Sequence, residues 1–168
     1  MNNLIQRNYL EISSIESLIE VKKPNSNLSI SPIDNPDYQL NKFFYKEIGK
    51  KHNWIDRLSW NEKQWIDYVN NKNVKTYILK EGIQLVGYFE QIFYQDAKDC
   101  EIAYFGILEE YIGKKYGGYL LSEAIKICFK IGSNRVWVHT CSLDHKHALK
   151  NYKARGMKVF KSENLNIG

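Results

Sequence analysis

The sequence predicts an α/β fold: an antiparallel meander joined to a parallel βαβ core in one mixed sheet, with about four flanking helices. Three observations carry this reading. Between Val74 and Leu108, three successive runs rich in β-branched and aromatic residues are separated by short polar turns, the pattern of consecutive antiparallel strands. From Leu120 the period changes, and Leu120, Leu121, Ala124, Ile125, Ile127, Cys128 and Ile131 form a wide stripe on one helix that stops at Gly132. After it, Arg135 to Thr140 (RVWVHT) is again a strand. A strand, a helix of this length and a strand make a right-handed crossover, so the strands at Glu101 to Leu108 and Arg135 to Thr140 are expected to lie parallel.

In chain order, Leu4 to Ile12 reads as a short strand, and Ser13 or Ser14 caps one brief turn before the loop KKPNSN. Leu28 to Ile33 alternates apolar and polar residues, as a strand does. Asn35 is placed to cap a helix with Pro36 in its first turn, and Leu40, Phe43, Phe44 and Ile48 then recur at helical spacing as far as Gly49. Ser59 with Glu62 reads as a capping box for a second helix that turns Trp65, Ile66 and Val69 to the core and ends at NNKN. The meander follows as Val74 to Lys80, Gln84 to Phe93 and Glu101 to Leu108. Beyond the crossover, Asp144 is expected to cap a last helix through Ala148, Leu149 and Tyr152, closed by Gly156, with MKVF as the final strand. At 168 residues and 43% hydrophobic content the chain is sized for one core. Residues 1–25 are expected to pack, as a strand and loop, on a domain of residues 26–168.

Composition narrows the function classes. A net charge of +5 suits an anionic ligand, but Lys and Arg are interleaved with Asp and Glu rather than massed, so nucleic acid is not expected as a partner. Apolar runs fall well short of the ~20 residues that cross a bilayer, and the first residues lack the apolar core of a signal peptide. No membrane association and a cytoplasmic location are therefore expected. The cysteines, Cys100, Cys128 and Cys141, are odd in number and without paired spacing, which fits a reducing compartment.

The stretch IGKKYGGYLL, Ile112 to Leu121, puts three glycines and two lysines at the carboxyl end of one core strand and the start of its helix. A helix N-terminus offers unpaired N–H groups and roughly half a positive charge, which together attract an anion. Glycines at such a place also serve simply to permit a tight turn. Neither G-x-x-x-x-G-K-[ST] nor G-x-G-x-x-G is present, so a nucleotide triphosphatase and a dinucleotide fold are unsupported.

The segment EIAYFGILEEYIGKKYGGYLLSEAI resembles the acetyl-coenzyme A binding core of the Gcn5-related N-acetyltransferase (GNAT) superfamily, a strand, a Q/R-x-x-G-x-G/A loop and a helix. The loop pattern maps onto Ile112, Gly113, Lys114, Lys115, Tyr116 and Gly117, with Ile112 in place of Gln or Arg and Lys115 in place of the first glycine. A second signature of the family, A-x-x-x-Y-x-x-x-G-F, finds Ala148, Tyr152 and Gly156, with Met157 in place of phenylalanine. The order of elements also matches over about residues 26 to 160.

This resemblance implies a GNAT-like mixed sheet whose core strands splay apart and an enzyme that uses acetyl-coenzyme A as co-substrate without a metal. Acetyl would pass to a primary amine, of a small molecule or a peptide, by direct attack through a tetrahedral intermediate. It places the pyrophosphate on the backbone from Gly113 through Tyr116 and Gly117 to Gly118, beside Ile112, with charge added by Lys114 or Lys115. It pairs Phe105, Gly106, Ile107 and Leu108 with the pantetheine arm and sets His145 where many relatives have an Asn that touches that arm. Tyr152 becomes the acid that protonates the departing thiolate, and Glu101 the base. Backbone N–H near Ile107 would polarise the carbonyl.

Other residues compete for these roles. Glu90, His139 or a bound water are alternative bases. His139 and Cys141 share a strand face as a nucleophile pair would, but no third orienting group is evident. Cys141, Asp144, His145 and His147 match no familiar zinc spacing. Phe43, Phe44, Trp54 and Trp60 are candidates to wall an acceptor pocket, with Asp56 or Glu90 attracting the amine, although core packing accounts for most such aromatics. A non-catalytic acyl-coenzyme A binding or sensing module is the alternative to an enzyme. After MKVFKSE too little chain remains for the usual closing hairpin, so either the N-terminal strand or a partner subunit, in a homodimer, is expected to cover that sheet edge.

Overall fold

The computed structural model describes residues 3–167. Seven strands, β1 (Asn3–Ile12), β2 (Leu28–Pro32), β3 (Val74–Glu81), β4 (Gln84–Tyr94), β5 (Asp99–Ile107), β6 (Arg135–Cys141) and β7 (Lys158–Ile167), form one sheet in the order β2-β3-β4-β5-β6-β1-β7. Only β5 and β6 run parallel; every other neighbouring pair is antiparallel. The expected meander and βαβ crossover are thus present in one mixed sheet. The N-terminal strand does not lie along an outer edge: it runs between β6 and β7, antiparallel to both, and leaves β7 at the edge.

Helices α1 (Tyr38–Gly49) and α2 (Glu62–Val69) lie on one face, while α3 (Tyr116–Lys130) and α4 (Ala148–Ala154) lie on the other. The larger core packs Leu120, Leu121, Ala124, Ile125 and Cys128 of α3 against Phe89, Cys100, Ile102, Val136 and Val138 of the sheet, so the stripe read from the sequence is the buried face. The smaller core stacks Phe44 of α1 on Tyr88, with Ile48, Ile78 and Leu108 around them.

Three caps differ from expectation. Asp37, not Asn35, caps α1 by accepting the Gln39 N–H at 3.0 Å. The capping box of α2 is Asn61 with Gln64, two residues beyond Ser59 and Glu62, because Trp60 is still held in a turn by its bond to the Arg57 carbonyl. Asp144 does not cap α4, whose N-cap is His147 without a side-chain bond. Its carboxylate instead accepts from the Thr140 hydroxyl, the Cys141 N–H and the Trp54 indole, which fixes the turn after β6.

Gly156 does close α4 as expected. The Gly156 N–H bonds to the Lys153 carbonyl and the Met157 N–H to the Tyr152 carbonyl, with Gly156 at φ +100°. A Cβ there would sit 2.2 Å from the Ser17 carbonyl oxygen, which is backbone and cannot rotate away. Gly156→Ala is therefore expected to cost more than the ~1–2 kcal/mol of a left-handed residue alone, read as a lower midpoint in urea unfolding. An unchanged midpoint would mean that the 13–19 segment moves freely off α4.

Candidate active site

The site begins as a break in the sheet. β5 and β6 pair at only three positions, Asp99 with Arg135, Cys100 with Val136 and Glu101 with Trp137. Immediately beyond, Gln91 faces Ile102 and Glu90 faces Tyr104, so Ala103 is an extra residue in β5. Such a bulge bends and twists its strand, and here it turns β5 away from β6. The two strands splay, leaving the β6-facing edge of β5 from Ile102 to Ile107 without a ladder partner. The gap opens into a cleft of about 1230 Å³.

At the mouth of the cleft the chain passes from β5 through a single 3-10 turn, Glu109–Tyr111, to α3. Gly113 lies at φ +91° and Lys115, the N-cap of α3, at φ +67° with no side-chain cap bond. Lys115 thus adopts the backbone state that a glycine favours, which is how the loop keeps its path where the family pattern has glycine. Its carbonyl accepts the first helical bond, from Tyr119. The N–H groups of Tyr116, Gly117 and Gly118 are consequently left outside the helical ladder. The Tyr116 hydroxyl, held by Glu81 and Asn25, anchors this first turn to the hairpin of β3 and β4.

The structure gathers most of the residues expected from the sequence in this cleft: Phe105, Gly106, Ile107, Ile112, Gly113, Lys115, Tyr116, Gly117 and Gly118, then His145, Tyr152 and Glu101. Leu108 and Lys114 lie outside its lining. Leu108 is buried in the smaller core with its N–H bonded to the Val86 carbonyl at 2.8 Å, and the Lys114 ammonium sits over the rings of Tyr111 and Tyr116.

Glu101 stands at the vertex, where β5 and β6 part. It is 9% exposed and accepts the Tyr94 hydroxyl at 2.8 Å. Burial raises its pKa above the ordinary carboxylate range, against the opposing pull of the Tyr94 bond and the Arg57 charge. A group whose folded pKa is raised gives the native state stability that is present below the unfolded pKa and lost as pH rises through the folded value. Glu101→Gln, which can still accept from Tyr94, is therefore expected to raise the thermal midpoint at pH 8 and not at pH 4. Equal shifts at both pH values would show that the burial penalty is not electrostatic.

Tyr152 projects from α4 with 7% of its surface exposed and its ring 6.3 Å from that of Phe105. Burial, reinforced by the negative charge of Asp144, drives its pKa well above that of a free phenol, so it keeps its proton. His145 packs between His52 and His147, and burial together with those neighbours lowers its pKa, leaving it neutral near pH 7.

The competing candidates fall elsewhere. Glu90 is fully buried and engaged by Arg57 at 2.9 and 3.2 Å, Tyr68 at 2.7 Å and Asn41 at 2.8 Å, which makes it a structural counter-ion and not a cleft base. His139 and Cys141 do line the cleft. Among the described residues no group of three or more His, Cys, Asp or Glu is arranged to hold a metal ion. Of the four aromatics considered for an acceptor wall, Trp54 lines the cleft beside Asp56, whose carboxylate takes the Tyr45 and Tyr104 hydroxyls. Phe44 is core, Phe43 faces outward, and Trp60 packs on Trp65 and Tyr68.

Sequence reasoning missed Arg7 and Ile5 of β1 and Leu165 of β7, which complete one wall of the cleft. No local pattern marks them, since they arrive only because β1 is inserted next to β6. Asn151, which approaches Gly117, was within reach, one position before Tyr152.

The structure superposes on a GCN5-related N-acetyltransferase from Sphaerobacter thermophilus with a TM-score of 0.72 at 14% identity, covering 98% of this chain and 53% of that one. A GCN5-related N-acetyltransferase from Kribbella flavida gives a TM-score of 0.67 at 12% identity, over 96% of this chain and 57% of that one. This chain thus spans little more than half the length of either protein. An aminoglycoside acetyltransferase from an uncultured soil metagenomic sample, in complex with sisomicin, gives 0.66 at 12% identity, over 79% of this chain and 90% of that one. At these identities the likeness is one of fold. No curated protein matches the chain. The model of the acetyltransferase (GNAT) family matches residues 33–157, from the strand-to-helix turn before α1 through the helix that carries Tyr152, and the chain belongs to that family.

Proposed function

We propose that the chain is an N-acetyltransferase that binds acetyl-coenzyme A in the splayed cleft and moves the acetyl group to a primary amine by direct attack. The observation that carries this reading is the convergence, in one cleft, of a buried carboxylate at the strand vertex, a protonated tyrosine on the wall and an open helix N-terminus at the mouth. The residues fit the co-substrate. Free N–H groups of Tyr116, Gly117 and Gly118 suit a pyrophosphate, a Cβ at Gly113 would meet nothing within 4 Å, and the unpaired edge of β5 suits the amides of the pantetheine arm.

Bound there, the thioester supplies the acetyl group. Glu101 takes a proton from the incoming ammonium, directly or through water, so that the amine nitrogen carries a free pair. Attack forms the C–N bond of a tetrahedral intermediate; as its C–S bond breaks, Tyr152 gives its proton to the departing sulfur, and the excess proton on the new amide nitrogen passes to the tyrosinate, directly or through water. The raised pKa of Glu101 makes it a stronger base than an exposed carboxylate, and that of Tyr152 preserves the proton to be given.

Glu101→Gln is expected to lower kcat/KM by about 100-fold or more and to remove the acidic limb of the pH profile. Thiol release measured across an amine panel, beside calorimetry with acetyl-coenzyme A, tests the whole reading. Tight binding with no release on any amine would sink it in favour of a sensing module.

A further inference from the structure

Arg7 belongs to β1, paired with Cys141 of β6 on one side and Glu163 of β7 on the other. Its side chain lines the cleft and is 34% exposed. The guanidinium is only partly satisfied: it interacts with the Tyr9 side chain, but Nε is buried without a hydrogen-bond partner among the described residues, and the Glu163 carboxylate oxygen lies 3.8 Å from Nη1, beyond hydrogen-bond range. That carboxylate is already committed, accepting the Tyr9 hydroxyl at 2.7 Å and facing the Lys161 ammonium at 3.5 Å. Two cations therefore share one anion on this wall. A buried donor left unpaired is costly, and the third of the side chain that stays exposed lines the cleft, where an acceptor on a ligand can reach it.

The same cleft also carries carboxylates, Asp56, held by tyrosine hydroxyls, and Glu101 at the vertex. Along β6 the Arg7 partner Cys141 is four residues from the Glu101 partner Trp137, roughly 13 Å of extended chain. Ile5, paired with Leu165 two positions along β1 from Arg7, adds apolar lining to this wall. The positive charge is felt inside the cleft, since burial first and Arg7 next hold His139 below its ordinary pKa.

We propose that Arg7 is the specificity-determining residue of the acceptor subsite and binds a carboxylate, so that the acceptor is an amine that also carries a carboxyl group. The planar guanidinium meets such a group through two parallel hydrogen bonds, while the amine end turns toward Glu101 and Asp56. This rests on the acetyl-transfer reading above. A free amino acid and the carboxyl terminus of a short peptide present the same chemistry.

The experiment compares thiol release on matched acceptors, L-amino acids, their carboxamides and their decarboxylated amines, together with dipeptides ending in a free acid or an amide. Acids are expected to exceed their amides about 10- to 100-fold in kcat/KM, mainly through KM. Arg7→Met collapses that ratio toward one and Arg7→Lys restores part of it, with coenzyme A affinity and the unfolding midpoint measured alongside. A wild type that prefers amides or decarboxylated amines overturns the proposal, as does an Arg7→Met that weakens acids and amides alike or loses coenzyme A binding. Should no acceptor be turned over, the acetyl-transfer reading fails separately. Calorimetry of the amino acids on the protein saturated with coenzyme A then decides the role of Arg7: carboxylate binding lost in Arg7→Met supports it, and no binding in the wild type ends it.

Discussion

Replacing Tyr152 with phenylalanine is expected to lower turnover by about 100-fold or more while leaving acetyl-coenzyme A affinity close to that of the wild type. The ring that packs beside Phe105 is retained, so α4 and its glycine cap stay in place. Only the hydroxyl is lost, and with it the proton that burial and Asp144 keep on the oxygen. The deficit should be greatest for a poor thiolate leaving group and should shrink with acyl thioesters of more acidic thiols, whose sulfur needs no proton. Initial rates of thiol release over such a series, with calorimetry beside them, make the test. Parallel loss of binding and turnover would make Tyr152 a packing residue, and no loss would hand the proton to water.

The second large effect concerns stability. Glu90→Ala is expected to cost about 3–5 kcal/mol, the cost of leaving a buried cation without its partner. Arg57 is 5% exposed and sits among the rings of Tyr45, Trp60, Trp65, Tyr68 and Tyr104 at 4.1 to 5.8 Å. Burial alone would lower the pKa of its guanidinium, yet Glu90 and the surrounding tyrosines hold it above its ordinary value, so it stays charged and cannot escape by losing a proton. The double replacement Glu90→Leu with Arg57→Met should recover much of the loss, since apolar pairs often substitute for buried ion pairs. Urea unfolding of the two variants beside the wild type reads both effects. A single and a double variant equally unstable would show that the network fixes the fold by its hydrogen bonds and not by charge. Because Arg57 follows Asp56 directly, the amine-facing wall of the cleft is expected to loosen in the single variant, raising the acceptor KM.

Much of the sheet, and of the strand-to-helix loop and α4 that line the cleft, is legible in the sequence because its signals are local. The stripe of α3, the period change at Leu120 and the spacing from Ala148 to Gly156 each lie within one element. The caps are harder. Ser59 with Glu62 and Asn61 with Gln64 present the same spacing, and only the turn that still holds Trp60 decides between them. Asp144 looks like a helix cap in sequence, but three donors from elsewhere claim its carboxylate. The bulge at Ala103 leaves no mark, since one extra residue in a strand alters neither composition nor period. The wall built from β1 and β7 is least legible of all, because Arg7 and Leu165 meet the cleft only through pairings between strands far apart in sequence.

Those pairings also bear on how the molecule comes to be. β1 is made more than a hundred residues before either of its neighbours, β6 and β7. During synthesis its two edges and the apolar side that will bury Leu10 and Ile12 must wait for well over a hundred residues. Such a strand is where premature pairing with another nascent chain would start, and closing the sheet around it is expected to be the late, slow step of folding, after the meander and crossover have formed.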